Sequence, residues 1–252
     1  MKNNHEDLVE KQFGDRADAY LQSRVHAEGA DLMRLGEWLH DSKDAAVLDI
    51  GCGASHASFA VAGQVAEITA YDLSDKMLKV VSEAARARGL NNLMTRQGPA
   101  ESLPFGAGRF DVVISRYSAH HWHHVGLALR EVRRVLKPGG KFILMDIASP
   151  GHPVLDIWLQ TAEMLRDPSH VKNYSQGEWL SRVNASGMIV NRLTADRLHL
   201  DFTTWVERMS TPDTMVRAIR LLQQQVSDRV KTYYAIQDDG SFSTDTIMFM
   251  AQ

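Results

Sequence analysis

The 252-residue sequence has one cysteine, Cys52, which excludes an intrachain disulfide framework and any zinc site built on several cysteines. A reducing cytoplasm is the compartment that such usage suits. Basic charge is not in excess either. With 28 Lys and Arg against 31 Asp and Glu, the formal net charge is −3, so no global positive field draws in nucleic acid or an anionic membrane. No run approaches the roughly 18 apolar residues of a membrane span. Met1 to Glu10 is polar and lacks the apolar core of a signal peptide, and internal repeats and low-complexity tracts are absent.

What remains is ordinary globular material, 44% hydrophobic and 23% charged, in a length that suits one large α/β domain. Apolar residues recur at helical spacing from 15 to 40 (Leu21, Val25, Leu32, Leu35, Leu39), predicting an amphipathic helix that either packs on a sheet edge or folds over a ligand. Short β-forming runs then alternate with helical patterns. Strands are expected at 47–50, 68–72, 93–97, 110–115 and 141–147, and helices follow the first glycine loop, Ser74 and Val125. Ser74 reads as an N-cap, and Gly89 as the stop of its helix. This alternation means βαβ units and a doubly wound, mostly parallel α/β sheet. Beyond Pro150 the rhythm changes to helices near 154–166, 176–185 and 213–230, with strand-like runs from Ile189 and from Ser243.

The first strand ends in Asp49-Ile50 and breaks into Gly51-Cys52-Gly53-Ala54-Ser55-His56. Glycines there let the backbone turn tightly and pass close to a ligand at a helix N-terminus, although a G-x-G is shared by many plain turns. Asp72 closes the second strand. At the carboxyl edge of a parallel sheet it is placed to bond both hydroxyls of a ribose; the plainer role is to cap the helix at Ser74. Dinucleotides and S-adenosylmethionine both fit so far. The dinucleotide fingerprint needs a third glycine where this chain has His56, which argues against a pyrophosphate turn.

These residues, together with Tyr71-Asp72-Leu73-Ser74-Asp75-Lys76-Met77-Leu78, Ala100-Glu101-Ser102-Leu103-Pro104-Phe105, Phe110 to Ser115 and Leu136-Lys137-Pro138-Gly139-Gly140, resemble the class I S-adenosylmethionine-dependent methyltransferases. The likeness extends to the small-molecule group that includes the ubiquinone/menaquinone biosynthesis C-methyltransferases. It covers residues 45–150 strongly and the rest loosely. It implies a Rossmann-like fold on a seven-stranded sheet, and S-adenosyl-L-methionine as cofactor with S-adenosyl-L-homocysteine as product. Asp49, Gly51, Cys52 and Gly53 would hold the methionine part, Asp49 attracting its ammonium. Asp72 would take the ribose, Leu73 and Met77 flank the adenine, Ala100 and Glu101 line its far edge, and Ser115 and Arg116 stand beside the methionine part. Tyr20 would join them from the leading helix. Two departures stand out. Ser55 replaces a third glycine, a mild change if its N–H is still presented, and Pro99 replaces an aspartate, leaving adenine to stacking or to Glu101.

The run Arg116-Tyr117-Ser118-Ala119-His120-His121-Trp122-His123-His124 follows strand four, where an acceptor would meet the methyl group. No acidic or cysteine partner stands at a ligand spacing, so no metal is expected. Histidine titrates in the range needed to deprotonate a phenol, an acid or an enolisable carbon, making His120 or His121 the candidate general base; the alternative is that both only pack beneath a lid. The resemblance also implies an organisation within one domain. Residues 1–44 would form a helical lid, 45–150 the cofactor core, and 151–252 the helices and closing strands that select the acceptor. Trp158, Met164, Tyr174, Trp179, Trp205 and Met209 offer large side chains for such a pocket or, more plainly, for the core. The acceptor would be a small or lipid-like organic molecule, and neither nucleic acid nor a membrane segment is expected. A non-catalytic binding or scaffold protein and a nicotinamide-dependent oxidoreductase are the rival readings.

Overall fold

In the computed structural model, which describes residues 4–14 and 29–252, seven strands form one sheet in the order β3-β2-β1-β4-β5-β7-β6. The strands are β1 (Ala46–Ile50), β2 (Glu67–Asp72), β3 (Leu93–Gln97), β4 (Phe110–Arg116), β5 (Leu136–Ala148), β6 (Val190–Leu200) and β7 (Phe242–Ala251). Neighbours from β3 to β5 pair in parallel, and β7 runs antiparallel to both β5 and β6. The order reverses between β1 and β4, the switch point outside which an open α/β sheet binds its ligands.

Alternation along the strands sorts side chains to two faces. Leu48, Ile50, Val113, Phe142, Leu144 and Phe249 meet α5 (Val125–Val135) and α7 (Gln176–Ala185) on one face. On the other, Val47, Ile68, Val112, Ile143, Met145 and Met248 meet α2 (Ala30–Trp38) and α3 (His56–Val61). Helix α4 (Asp75–Ala87) begins as the sequence predicts, with Ser74 Oγ accepting the Met77 N–H, and Gly89 takes the left-handed conformation just past its end.

Several elements differ from expectation. Of the helix predicted over 15–40, the described residues show α2, and residues 15–28 lie outside the described part. A separate helix, α1 (Asn4–Gly14), forms in the polar N-terminal stretch. Strand β5 starts at Leu136, not Lys141, because Leu136 still pairs with Phe110 before the turn at Gly139 shifts the register. The helical run predicted over 213–230 is broken at Val226-Ser227 into α9 (Asp213–Gln225) and α10 (Asp228–Tyr234). An unexpected helix, α8 (Phe202–Arg208), is capped by Asp201.

These last helices, with α6 (Pro153–Arg166), form a third apolar cluster over the carboxyl end of β5. Phe242 sits at its centre, with the rings of Trp158 and Trp205 edge-on to it at 5.3 and 5.0 Å. Truncating Trp205, 2% exposed, removes this contact and leaves a cavity. Trp205→Ala is expected to lose about 3–5 kcal/mol of stability, measured by urea unfolding.

Candidate active site

After β1 the chain turns through two left-handed glycines, Gly51 and Gly53, at φ 63° and 49°. A Cβ on Gly51 would stand 1.8 Å from Ser118 Oγ, whereas Gly53 faces open space. The loop is stitched to β2 by the Cys52 N–H, which donates to the Tyr71 carbonyl at 3.0 Å. Asp72 then pins it from the side: one carboxylate oxygen accepts the Gly53 N–H and the other the Ser74 N–H, each at 2.9 Å. Burial raises the Asp72 pKa despite these bonds. Each oxygen keeps a further lone pair for a ligand, so Asp72 both supports the start of α4 and stays available at the sheet edge.

Ser55 departs from the expectation of a mild change. Its N–H is spent on the Cys52 carbonyl at 2.7 Å and is not presented to a ligand. Its backbone is left-handed at φ 58°, and its buried hydroxyl has no partner among the described residues.

A cavity opens over this loop. Of the residues assigned to the cofactor from sequence, Gly51, Cys52, Gly53, Asp72, Leu73, Met77, Ala100, Glu101 and Arg116 line it, and Asp49 and Ser115 stand behind its wall. Tyr20 lies outside the described residues. Asp49 is wholly buried; Oδ2 accepts the Ser58 hydroxyl at 2.6 Å while Oδ1 has no partner among the described residues. Burial pushes its pKa up to about 6, the Asp72 charge adding to the rise and Ser58 and Arg116 opposing it. Ser115 Oγ is likewise buried without a partner among the described residues. Arg116 is gripped by Asp31 of α2, Nε to Oδ2 at 2.5 Å. Glu101 accepts the His124 N–H at 3.0 Å.

Tyr71, unassigned from sequence, also lines the cavity, and its hydroxyl donates to the Pro99 carbonyl at 3.1 Å. It therefore holds in place the loop where proline replaced the expected aspartate. The available signal was its position one residue before the strand-ending acid. Helix α1 supplies another wall through Val9 and Phe13, one helical turn apart. The Phe13 ring meets His121 edge-on at 5.0 Å, and His5 Nε2 donates to the His121 carbonyl at 2.9 Å.

The two candidate histidines differ sharply. His121 lines the cavity, but Nδ1 faces the Ser169 carbonyl at 3.1 Å and Nε2 stands 3.9 Å from Asp167 Oδ2. Its nitrogen-bearing edge thus looks into residues 167–169. Burial and the neighbouring His120 hold its pKa well below the usual histidine value. His120 stands behind it, ring centroids 4.2 Å apart, and donates from Nδ1 to Asp146 Oδ1 at 2.5 Å. Burial depresses the His120 pKa, but the charge and hydrogen bond of Asp146, with Glu163 and Asp167, outweigh it and leave it raised.

None of the six large C-terminal side chains lines the cavity. Trp158 and Trp205 fill the third cluster, Tyr174 and Trp179 the face beneath α7, Met209 is buried, and Met164 is half exposed.

A doubly wound sheet with a glycine turn after β1, an acid after β2 and a cavity at its switch point defines a Rossmann-like protein that binds a nucleoside-containing cofactor. A family model described as a methyltransferase domain matches residues 48–144. The protein YafE of Escherichia coli (strain K12) is 60% identical over 191 residues, 76% of this chain and 92% of that one. The methyltransferase YcgJ of Bacillus subtilis (strain 168) is 36% identical over 90% of each chain. The crystal structure of YcgJ superposes with a TM-score of 0.84 at 33% identity, covering 88% of this chain and 97% of that one. The ubiquinone/menaquinone biosynthesis C-methyltransferase UbiE of Ectopseudomonas mendocina is 38% identical over 113 residues, 43% of this chain and 44% of that one. The chain belongs to the class I S-adenosylmethionine-dependent methyltransferases.

The residues present fit that cofactor: a carboxylate on the wall with lone pairs to spare, an unpartnered buried oxygen on Asp49, and apolar Leu73 and Met77 beside them. When bound, the cofactor supplies an electrophilic methyl on a sulfonium and leaves as S-adenosylhomocysteine.

Ser55→Gly relieves the left-handed backbone and removes an unpaired hydroxyl, and is expected to raise stability by about 1 kcal/mol in denaturant titrations. Asp49 gives a pH-dependent effect. Its folded pKa lies above the unfolded value, so the native state holds the extra proton and stability falls as pH rises from about 4 through 6, by about 3 kcal/mol in full. Asp49→Asn is therefore expected to melt higher than the parent at pH 8 without cofactor, yet to bind S-adenosylhomocysteine more weakly by calorimetry. A variant that melts lower at pH 8 with unchanged affinity contradicts both halves.

Proposed function

We propose that the protein methylates a small or lipid-like organic acceptor in the cytoplasm, and that His120, not His121, takes the proton released by the acceptor. The observation that carries this is the apolar and aromatic character of part of the cavity lining. Val9, Phe13, Tyr117 and Trp122 contribute to it, and α1 supplies part of the wall. A cavity walled in part by a helix suits a compact molecule better than a polymer. The absence of a membrane-crossing helix among the described residues and the lone cysteine agree with a cytoplasmic enzyme working on a diffusible or membrane-extracted molecule. The quinone-precursor chemistry in the name of the UbiE relative supports a ring-bearing, lipid-like acceptor, although that likeness spans under half of either chain.

In this scheme residues 1–44 serve as the lid, 45–150 as the cofactor core, and 151–252 set the choice of acceptor by closing over the carboxyl end of β5. Arg116 and Asp49 hold the two ends of the methionine moiety, and Asp72 holds the ribose. Asp146 keeps the His120 proton on Nδ1, leaves Nε2 as the basic nitrogen, and stabilises the imidazolium formed when that nitrogen takes a proton.

The test is S-adenosylhomocysteine release with labelled cofactor across a panel of phenols, quinols and enolisable ketones. At least one is expected to be turned over, with His120→Gln slowed about 10²–10⁴-fold and His121→Gln much less. Cofactor binding with no turnover of any small acceptor, alongside methylation of a protein or RNA fraction, refutes the proposed acceptor class.

A further inference from the structure

Arg116 ends β4 and lines the cavity, yet it is anchored from outside the cofactor core. Asp31, in the first turn of α2, grips it: Nε donates to Oδ2 at 2.5 Å and Nη2 to Oδ1 at 3.1 Å. The side chains of Arg116 and Asp31 are 6% and 16% exposed. A two-bond fork held largely out of water fixes the guanidinium plane, which a surface ion pair does not do.

Asp31 lies outside residues 48–144, the span of the methyltransferase family match. Its place is nonetheless set by the fold. Leu32 and Leu35 of α2 are buried in the cluster on that face of the sheet, and Arg34 donates to Asp196 of β6 at 2.8 Å. Gly29, the N-cap of α2, is what lets the carboxylate reach. A Cβ there would stand 2.0 Å from Asp31 Oδ1 and 3.1 Å from Arg116 Nη2. The Gly29 backbone, at φ −119° and ψ 146°, is open to any residue, so the glycine serves a close approach and not a special turn.

Tyr117 holds the arginine from another side. Its backbone is left-handed at φ 50°, its N–H donates to the Met145 carbonyl at 2.8 Å, and Arg116 Cζ lies over its ring, 4.7 Å from the centroid. A bulky residue adopts that conformation only where its surroundings impose it. The outcome here is an aromatic face against the guanidinium.

We propose that Asp31 is a positioning residue for cofactor recognition: with Gly29 and the Tyr117 ring it aims the Arg116 fork at the carboxylate of an amino-acid tail, so that the site selects nucleosides that carry one. The inference rests on the placing of Arg116 at the methionine moiety proposed above and adds the device that orients it. A guanidinium delivers a two-point grip only in its own plane. An arginine left to rotate would lose that freedom when ligand binds, whereas one already fixed has lost it in folding.

The test is calorimetry on the full chain with two probes, S-adenosylhomocysteine and methylthioadenosine, the second keeping the nucleoside and the sulfur but lacking the amino-acid tail. Asp31→Glu keeps the charge and moves it by one methylene; Gly29→Ala keeps it and crowds the carboxylate from its place. Both therefore separate position from charge, which Asp31→Asn would mix. Each is expected to weaken S-adenosylhomocysteine about tenfold, while methylthioadenosine stays within about twofold, which also reports that the variants fold. Arg116→Lys, without the planar fork, is expected to show the same selective loss. A merely structural role for Asp31 lowers both affinities together, and that result overturns the inference, as does an S-adenosylhomocysteine affinity at the parent value in either charge-keeping variant. Arg116→Lys tells this failure from failure of the reading beneath it. If it alone reduces the preference for S-adenosylhomocysteine, the positioning inference fails and Arg116 keeps its place at the methionine moiety; if it leaves the preference intact, that placing fails and the inference falls with it.

Discussion

Asp72 holds two parts of the site in one grip. By accepting the N–H of Gly53 and that of Ser74, it ties the turn after β1 to the start of the helix after β2. Without it, two left-handed glycines would have little to fix their direction. With it, the loop is set before any cofactor arrives, and a ligand reaching Asp72 meets an oriented carboxylate and does not have to order a free one. Preorganisation of this kind converts into affinity because the ordering entropy is already spent in folding. Tyr71, next in the chain, does the same for the 98–102 loop through its hydroxyl, so consecutive residues at one strand end set two walls of the cavity.

How far the sequence was legible follows from which forces are local. The parallel core was readable because strand alternation and caps such as Ser74 depend on neighbours in the chain. The family resemblance was readable for the same reason, each motif being a short local solution to a turn. Helix α1 was not. Its apolar content is little more than Val9 and Phe13 on one side, and the cavity it meets is made by residues far along the chain. The break at Val226-Ser227 was hidden because the apolar pattern continues through it. Ser55 looked harmless in sequence because nothing local announces a left-handed serine whose N–H is already spent. The histidines show the limit most clearly. Adjacent in sequence and alike in chemistry, His120 and His121 acquire opposite pKa shifts from Asp146 on one side and from burial beside a second imidazole on the other.

The C-terminal third illustrates how a core can shape a site without touching it. Trp158, Trp205 and Phe242 fill the cluster over the end of β5 and do not reach the cavity. They nevertheless fix where α6 lies, and α6 carries Gln160 and Glu163 into the polar network around His120 and His170.

The placement of β7 has a consequence for how the molecule is made. The sheet leaves a slot between β5 and β6 that is filled by residues 242–251, while β6 has β7 as its sole neighbour. During synthesis, β1 to β5 can pair as they leave the ribosome, but among the described strands β5 keeps a bare edge and β6 has no partner until β7 emerges. The parallel part of the sheet can thus assemble early, whereas the part beyond β5 waits until residues 242–251 have been made. In that interval the open edge of β5, rich in Phe142, Ile143 and Leu144, is the part of the nascent chain most exposed to pairing with the wrong partner.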